Sequence, residues 1–300
     1  MAEPMRPPVS LSPRGRGHAA WVFNLDAEDE LAHPGAHTPT TTMLARIETL
    51  LPRLSALISP GDQVLFPASG ETLKPGLVGR AWCPTRWALA QMERAGVEIP
   101  DVPNMEVLRT VNHRRFNHQL GQTLPGAGYA ANERELETLL SPSHDTWLLK
   151  RPFGYAGRGR RKLRSSARLP ADQSWIEASL RSGEGLQVEP WVERVFDCAL
   201  HGWLESTGEA TLGEPTLQEV DDTGAWQSSR LAHEGELTTL ELDRLTTEAH
   251  RAAQALHAAG YFGPFGLDAY RYGANDFQPR SEINARYSMG FAVGFPSGLR

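Results

Sequence analysis

The sequence predicts a mixed α/β protein, a small parallel-sheet lobe followed by two α+β pieces. Three observations carry this. Up to about residue 105, short apolar runs alternate with helical apolar stripes, the order that builds a parallel sheet with helical crossovers. Residues 146–164 give a strand, a glycine-rich turn and a returning strand. Beyond residue 186, strand-like runs surround one long helical stripe.

Residues 1–19 are rich in Pro, Arg and Ser without an apolar stretch, which predicts a disordered tail and not a secretory signal. In the region 20–105, Trp21-Val22-Phe23-Asn24-Leu25 reads as a buried strand and Val64-Leu65-Phe66 as another. Met43, Ile47, Leu50 and Leu54 recur at helical spacing, with Pro52 expected to kink that helix or to open a second one. Pro84 and Gly96 bracket a further element in the order expected of a helix.

In the region 106–185, Asn132 and Glu135 have the spacing of a capping box, opening a helix that buries Leu136, Leu139 and Leu140. A strand over 146–150 follows, then a helix near 172–181 that stops at Ser182-Gly183. In the region 186–300, Val195–Leu204 is strand-rich, and the stripe from Leu240 to Leu256 is a helix ended by Gly260. Two strand-like runs, 262–272 and 277–285, are joined by Gly273-Ala274-Asn275-Asp276.

Composition excludes several classes. A net charge of −6 gives no bulk attraction to nucleic acid or to an anionic membrane. No apolar run approaches the roughly 20 residues that span a bilayer. Cys83 and Cys198 lie far apart without metal-ligand spacing, which argues against a disulfide scaffold or a zinc site and predicts a cytoplasmic protein.

Lys150 is one of only three lysines among 30 cationic residues. A compact ammonium suits phosphate oxygens, whereas guanidinium prefers a planar fork. Lys150 ends an apolar run and is followed by Gly154, Gly157 and Gly159, whose backbone permits close approach of N–H groups to phosphate. A plain turn is the competing reading of those glycines. A second constellation lies in the final hairpin. If its turn centres on Asn275, Asp268 faces Glu282, and two opposed carboxylates call for a cation between them. Asn284 and Arg286 share the face of Glu282 by the period of two. All-oxygen ligands of this kind suit Mg²⁺. The segment Glu189-Pro190-Trp191-Val192 leaves a strand as a connector, able to offer the carbonyl of Pro190 and the N–H of Val192 to a flat base. Trp82 and Arg86 are candidates for lining a substrate site. His113 and His201 carry no assigned role.

In that order these features resemble the ATP-grasp superfamily, over about residues 106 to 300. The resemblance implies two α+β lobes clamping ATP, preceded by a small Rossmann-like α/β domain. Lys150 and its loop are similar to the family's phosphate-binding Lys and flexible loop. Glu189, Pro190 and Val192 are similar to its adenine hinge, with Glu193 or Asp197 for the ribose. Asp268, Glu282 and Asn284 match its ligands for Mg²⁺ (or Mn²⁺), and Arg286 its Arg on the transferring phosphoryl group. Arg114 or Arg115 stands where the family usually has a second phosphate-contacting Lys. The implied activity is an ADP-forming, ATP-dependent ligase that activates a small-molecule carboxylate as an acyl phosphate for attack by an amine. The alternatives are a small-molecule kinase of the same architecture and a non-catalytic nucleotide-binding module. The carboxylate, the amine and the oligomeric state are not readable from the sequence.

Overall fold

The structure is a computed structural model. It describes residues 17–35, 37–66, 73–121, 123–140, 144–155, 157–164, 169–220 and 226–295. Most of the expected tail at 1–19 therefore lies outside the described residues, and Ala19 already opens a strand. No helix among the described residues is long and apolar enough to cross a membrane. Cys83 and Cys198 are both buried free thiols.

The first third of the chain contains β1 (Ala19–Val22), α1 (Ala27–Ala32), α2 (Thr41–Leu54), β2 (Gln63–Val64), β3 (Val78–Ala81) and α3 (Arg86–Arg94). β1 lies between β2 and β3 and is parallel to both, so the expected parallel sheet forms. The strand expected at 21–25 is shifted back to Ala19–Val22, because Asn24 turns inward. Its amide donates to Cys83 O and Thr85 Oγ1, fixing the turn after β3. Pro52 does not start a second α-helix. It sits in the last turn, after which the chain tightens into a 3₁₀ turn at Ser55–Leu57. Thr40 caps α2 by accepting from Met43 N.

The middle third holds α4 (Met105–Asn112), α5 (Arg114–Gln119), β4 (Gly128–Ala130), α6 (Glu133–Leu139), β5 (Thr146–Lys150), β6 (Arg160–Arg164) and α7 (Pro170–Leu180). The pair α4/α5 went unpredicted, since each is only eight or six residues long, too short for a repeating stripe to stand out. Asn104 and His113 cap them through bonds from Val107 N and Arg115 N. Asn132 caps α6 as expected, accepting from Glu135 N. Leu136 is buried there, whereas Leu139 and Leu140 are only partly so.

The remainder comprises β7 (Leu186–Pro190), β8 (Arg194–Leu204), β9 (Ala210–Leu212), β10 (Thr216–Val220), β11 (Trp226–Leu231), α8 (Thr239–Ala258), β12 (Gly263–Tyr272), β13 (Asp276–Asn284) and α9 (Phe291–Gly294). A four-stranded antiparallel sheet runs β4-β7-β5-β6. It closes its own core on α6 and α7 through Leu136, Trp147, Leu149, Ile176 and Val188. A second antiparallel sheet runs β11-β10-β8-β12-β13, with β9 on β8. A large core continues from its inner face, at Leu200 and Phe265, to Trp21 and Leu31 of the N-terminal region. That shared core fixes the N-terminal region against the second sheet, leaving a cleft where all three parts meet.

Candidate active site

The hairpin β12–β13 brings the expected acids together by an unexpected route. Near the turn, Tyr272 pairs with Asp276 and Tyr270 with Gln278, a register centred on Ala274, not Asn275. The register then shifts, and below the shift Asp268 pairs with Glu282. Pro279 falls within the irregular stretch, where its missing donor breaks no ladder bond. Ser281 Oγ anchors the bulge by donating to Asp268 O at 3.0 Å.

Asp268 Oδ2 accepts from Asn284 Nδ2 at 3.0 Å, and Oδ1 from Gln218 Nε2 at 3.2 Å. Burial, reinforced by the negative charge of Glu282, pushes the Asp268 carboxyl up to about 6. Burial also opposes ionisation of Glu282, but Arg114, Lys150 and Arg286 together outweigh it and hold that carboxyl below its ordinary value. Two facing carboxylates with a side-chain amide beside them form an oxygen-donor set suited to a divalent ion. Among the described residues no larger group of His, Cys, Asp or Glu is placed to hold a metal.

Lys150 and Glu189 are diagonal neighbours on one face, because Leu148 pairs with Glu189 and Lys150 with Gln187 across β5·β7. Their ion pair is 2.7 Å long, and both are buried. Thr123 and Gln187 also donate to the Glu189 carboxylate. Glu189 thus faces the ammonium, and Pro190 and Val192 carry on along the cleft wall. Trp191 N is occupied by Thr146 O at 2.9 Å. Glu193 and Asp197 both line the same wall, with Asp197 paired to Arg194.

Arg114, not Arg115, reaches the acids. Its Nη2 donates to Glu282 Oε1 at 2.8 Å and its Nη1 to Arg151 O at 2.6 Å. Arg115 turns away to Glu184 O and the ring of Tyr129. Neighbours on a helix point about 100° apart, so only one of the two can enter the cleft.

The glycines have a turn-forming role. Gly157 and Gly159 adopt φ of +77° and +70°, and a Cβ on Gly154 would stand 2.5 Å from Arg158 O. The same turn places Gly154, Gly157 and Arg158 in the cleft wall. Gly159 does not line the cleft; its carbonyl accepts from Arg151 N, closing the turn. Tyr155 ties this loop to α1, its hydroxyl donating to Asp29 Oδ2 at 2.9 Å.

Arg286 lies at the centre, buried, with Nε donating to Glu28 Oε1 at 2.6 Å and Nη1 to Tyr287 O at 2.8 Å. Glu28, Asp29 and Gln218 were missed from sequence. Each acts across more than a hundred positions or between separate strands, and no local spacing marks them. His113 caps α5. His201 is buried, which lowers it to about 4 and keeps its ring neutral. Trp82 lines the cleft and Arg86 does not. All the candidates except Arg86, Arg115 and Gly159 thus line one cleft of about 970 Å³, room for a nucleotide and a second small molecule.

No protein-family model matches the chain, and no curated protein matches it. Solved structures do. A biotin carboxylase–ATP complex from Campylobacter jejuni superposes with a TM-score of 0.54 at 16% identity, covering 69% of this chain and 47% of that one. A pyruvate carboxylase from Rhizobium etli gives 0.53 at 18% identity, over 69% of this chain and 18% of that one. The chain thus spans about half the length of the biotin carboxylase. D-cycloserine synthetase gives 0.54 at 15% identity, but over 94% of this chain and 96% of that one. Likeness at such identities is likeness of fold, and with the two antiparallel sheets that border the cleft it leads to one conclusion: the chain has the ATP-grasp fold.

Proposed function

We propose that the protein is an ADP-forming ligase that uses ATP to activate a small-molecule carboxylate for attack by an amine. One observation carries the reading. Lys150, Arg114 and Arg286 converge on Glu282, which faces Asp268, inside a single cleft. Phosphoryl transfer asks the protein mainly for positioning and charge neutralisation, and three fixed cations beside an oxygen-donor pair supply both.

In this reading the regions 106–185 and 186–300 grip the nucleotide, and the region 20–105 closes the acceptor side. Pro190 and Val192 flank the base, and Glu193 or Asp197 takes the ribose hydroxyls. Lys150 and Arg114 hold phosphate oxygens, and Arg286 faces the γ-phosphoryl group. Asp268, Glu282 and Asn284 would hold Mg²⁺, which when bound neutralises charge on the β- and γ-oxygens. A carboxylate oxygen attacks the γ-phosphorus, the bond to the bridging oxygen breaks, and ADP leaves. The amine then attacks the acyl carbon, loses a proton, and expels phosphate. The loop at 153–160 excludes water from the acyl phosphate.

The test is a carboxylate screen for ADP release with ATP and Mg²⁺, with hydroxylamine present. A ligase gives a hydroxamate in step with ADP. ADP release that yields a phosphorylated alcohol and no hydroxamate makes the protein a kinase.

A further inference from the structure

The cleft has a further set of lining residues that the phosphoryl-transfer reading leaves unused, and they form a second compartment of its wall. One wall is α2. Met43, Arg46, Ile47 and Leu50 line the cleft and are spaced as a single helix face. Met43 and Ile47 are buried, Leu50 is half-buried and Arg46 is exposed. Trp226 of β11, Trp82 and Met289 add to the lining, with Ser288 and the neutral ring of His201 nearby. The compartment is therefore apolar and aromatic, with a single guanidinium on its α2 wall.

Its charge is one-sided. The acids that line the cleft, Glu189, Glu193, Asp197, Asp268 and Glu282, all belong to the nucleotide and metal end. No described residue lining the compartment is acidic. Arg46 pairs with no carboxylate among the described residues, unlike Arg114 and Arg286, which each hold one. Ser288 Oγ, at the boundary with the Arg286 end, is buried without a hydrogen-bond partner. A ligand ammonium placed here would meet a cation and, among the described lining residues of the compartment, no counter-charge. A carboxylate would meet an open guanidinium fork.

We infer that this compartment binds the acceptor of the ligase reading, on which the inference rests. The geometry assigns that acceptor as an acid with an apolar or aromatic body and a second anionic group read by Arg46.

Calorimetry tests this in two steps, first with a non-hydrolysable ATP analogue and Mg²⁺, then with matched probes added to that complex. The probes are 3-phenylpropionate, 2-benzylsuccinate (which adds a second carboxylate) and L-phenylalanine (which adds an ammonium). We expect 2-benzylsuccinate to bind at least about tenfold more tightly than 3-phenylpropionate, and L-phenylalanine to bind most weakly. Arg46→Gln should erase the preference without changing affinity for the ATP analogue. Equal affinities, a preference for L-phenylalanine, a preference that survives Arg46→Gln, or no binding of any probe would each overturn the assignment. If the ATP analogue itself fails to bind, the ligase reading falls as well.

Discussion

Glu28 and Arg286 are 258 positions apart in the chain and form a buried ion pair in which one carboxylate oxygen receives both Nε and Nη2 of the guanidinium. The pair joins the N-terminal region to the end of the last hairpin. Burial raises the Glu28 carboxyl, with Arg286 opposing that rise. Its other oxygen, Oε2, has no hydrogen-bond partner. Glu28 therefore positions Arg286 and does not line the cleft itself.

Glu28→Gln keeps the shape but removes the charge that orients Arg286. Acceptor-dependent ADP release should fall by about 10- to 100-fold in kcat, the order seen when a partner that orients a functional side chain is lost. KM for ATP should change by less than about twofold, because Lys150, Arg114 and the base and ribose contacts stay in place while Arg286 acts mainly on the transferring group. A rise in KM with kcat intact would make Glu28 a binding or folding residue instead.

Asp268 is costly to the ligand-free protein, facing Glu282 while buried. Asp268→Asn should raise the melting temperature of the ligand-free protein by about 2–4 °C, while Mg²⁺-dependent ADP release drops by at least about 100-fold. Gln218 or Asn284 can rotate its amide to accept from the new side chain. A lower melting temperature with normal turnover would remove Asp268 from the metal set.

Tyr155 holds the loop against α1 through Asp29. In Tyr155→Phe the loop loses a hydrogen bond to a charged acceptor, worth about 1.5–3 kcal/mol. Backbone amides over 153–160 should exchange at least about tenfold faster. ADP release should also outrun product formation, since water reaches the acyl phosphate. Unchanged exchange would show that other contacts hold the loop.

Away from the cleft, Glu241 caps α8 at Thr238 and pairs with Arg271. The hydrogen bond from Arg271, working against burial, lowers the Glu241 carboxyl to about 2. A depressed carboxyl stabilises the fold fully above its ordinary value of 4.5 and loses that contribution as pH falls toward 2. Glu241→Gln should cost about 1–2 kcal/mol in urea unfolding at pH 7, and much less at pH 3. A difference that does not shrink in acid would attribute the loss to packing.

What the sequence made legible was local. Lys150 at a strand end, the Asn132 cap and the strand-helix order before residue 105 each follow from spacing alone. The opposition of Asp268 and Glu282 was foreseen from a turn centred on Asn275, yet the turn centres on Ala274 and a bulge restores the pairing. The choice of Arg114 over Arg115 needed the helix orientation of α5. Glu28, Asp29 and Gln218 stayed hidden because the contacts that matter are tertiary, and a lone acid or amide in a sequence looks the same whether it is solvated or buried against a guanidinium.

The irregular stretch opposite Ala269 acts as a parity switch for the whole hairpin. If β13 lost one residue between Pro279 and Ser281, every side chain below would change sides. Ile283 and Ala285 would face the nucleotide, and Glu282 and Asn284 would be driven into the hydrocarbon interior. The tip at Gly273–Asp276 lies beyond that switch. Gly273 N donates to Glu193 O on the cleft wall at 3.2 Å, so a label or an inserted peptide belongs after Gly273, at Ala274 and Asn275.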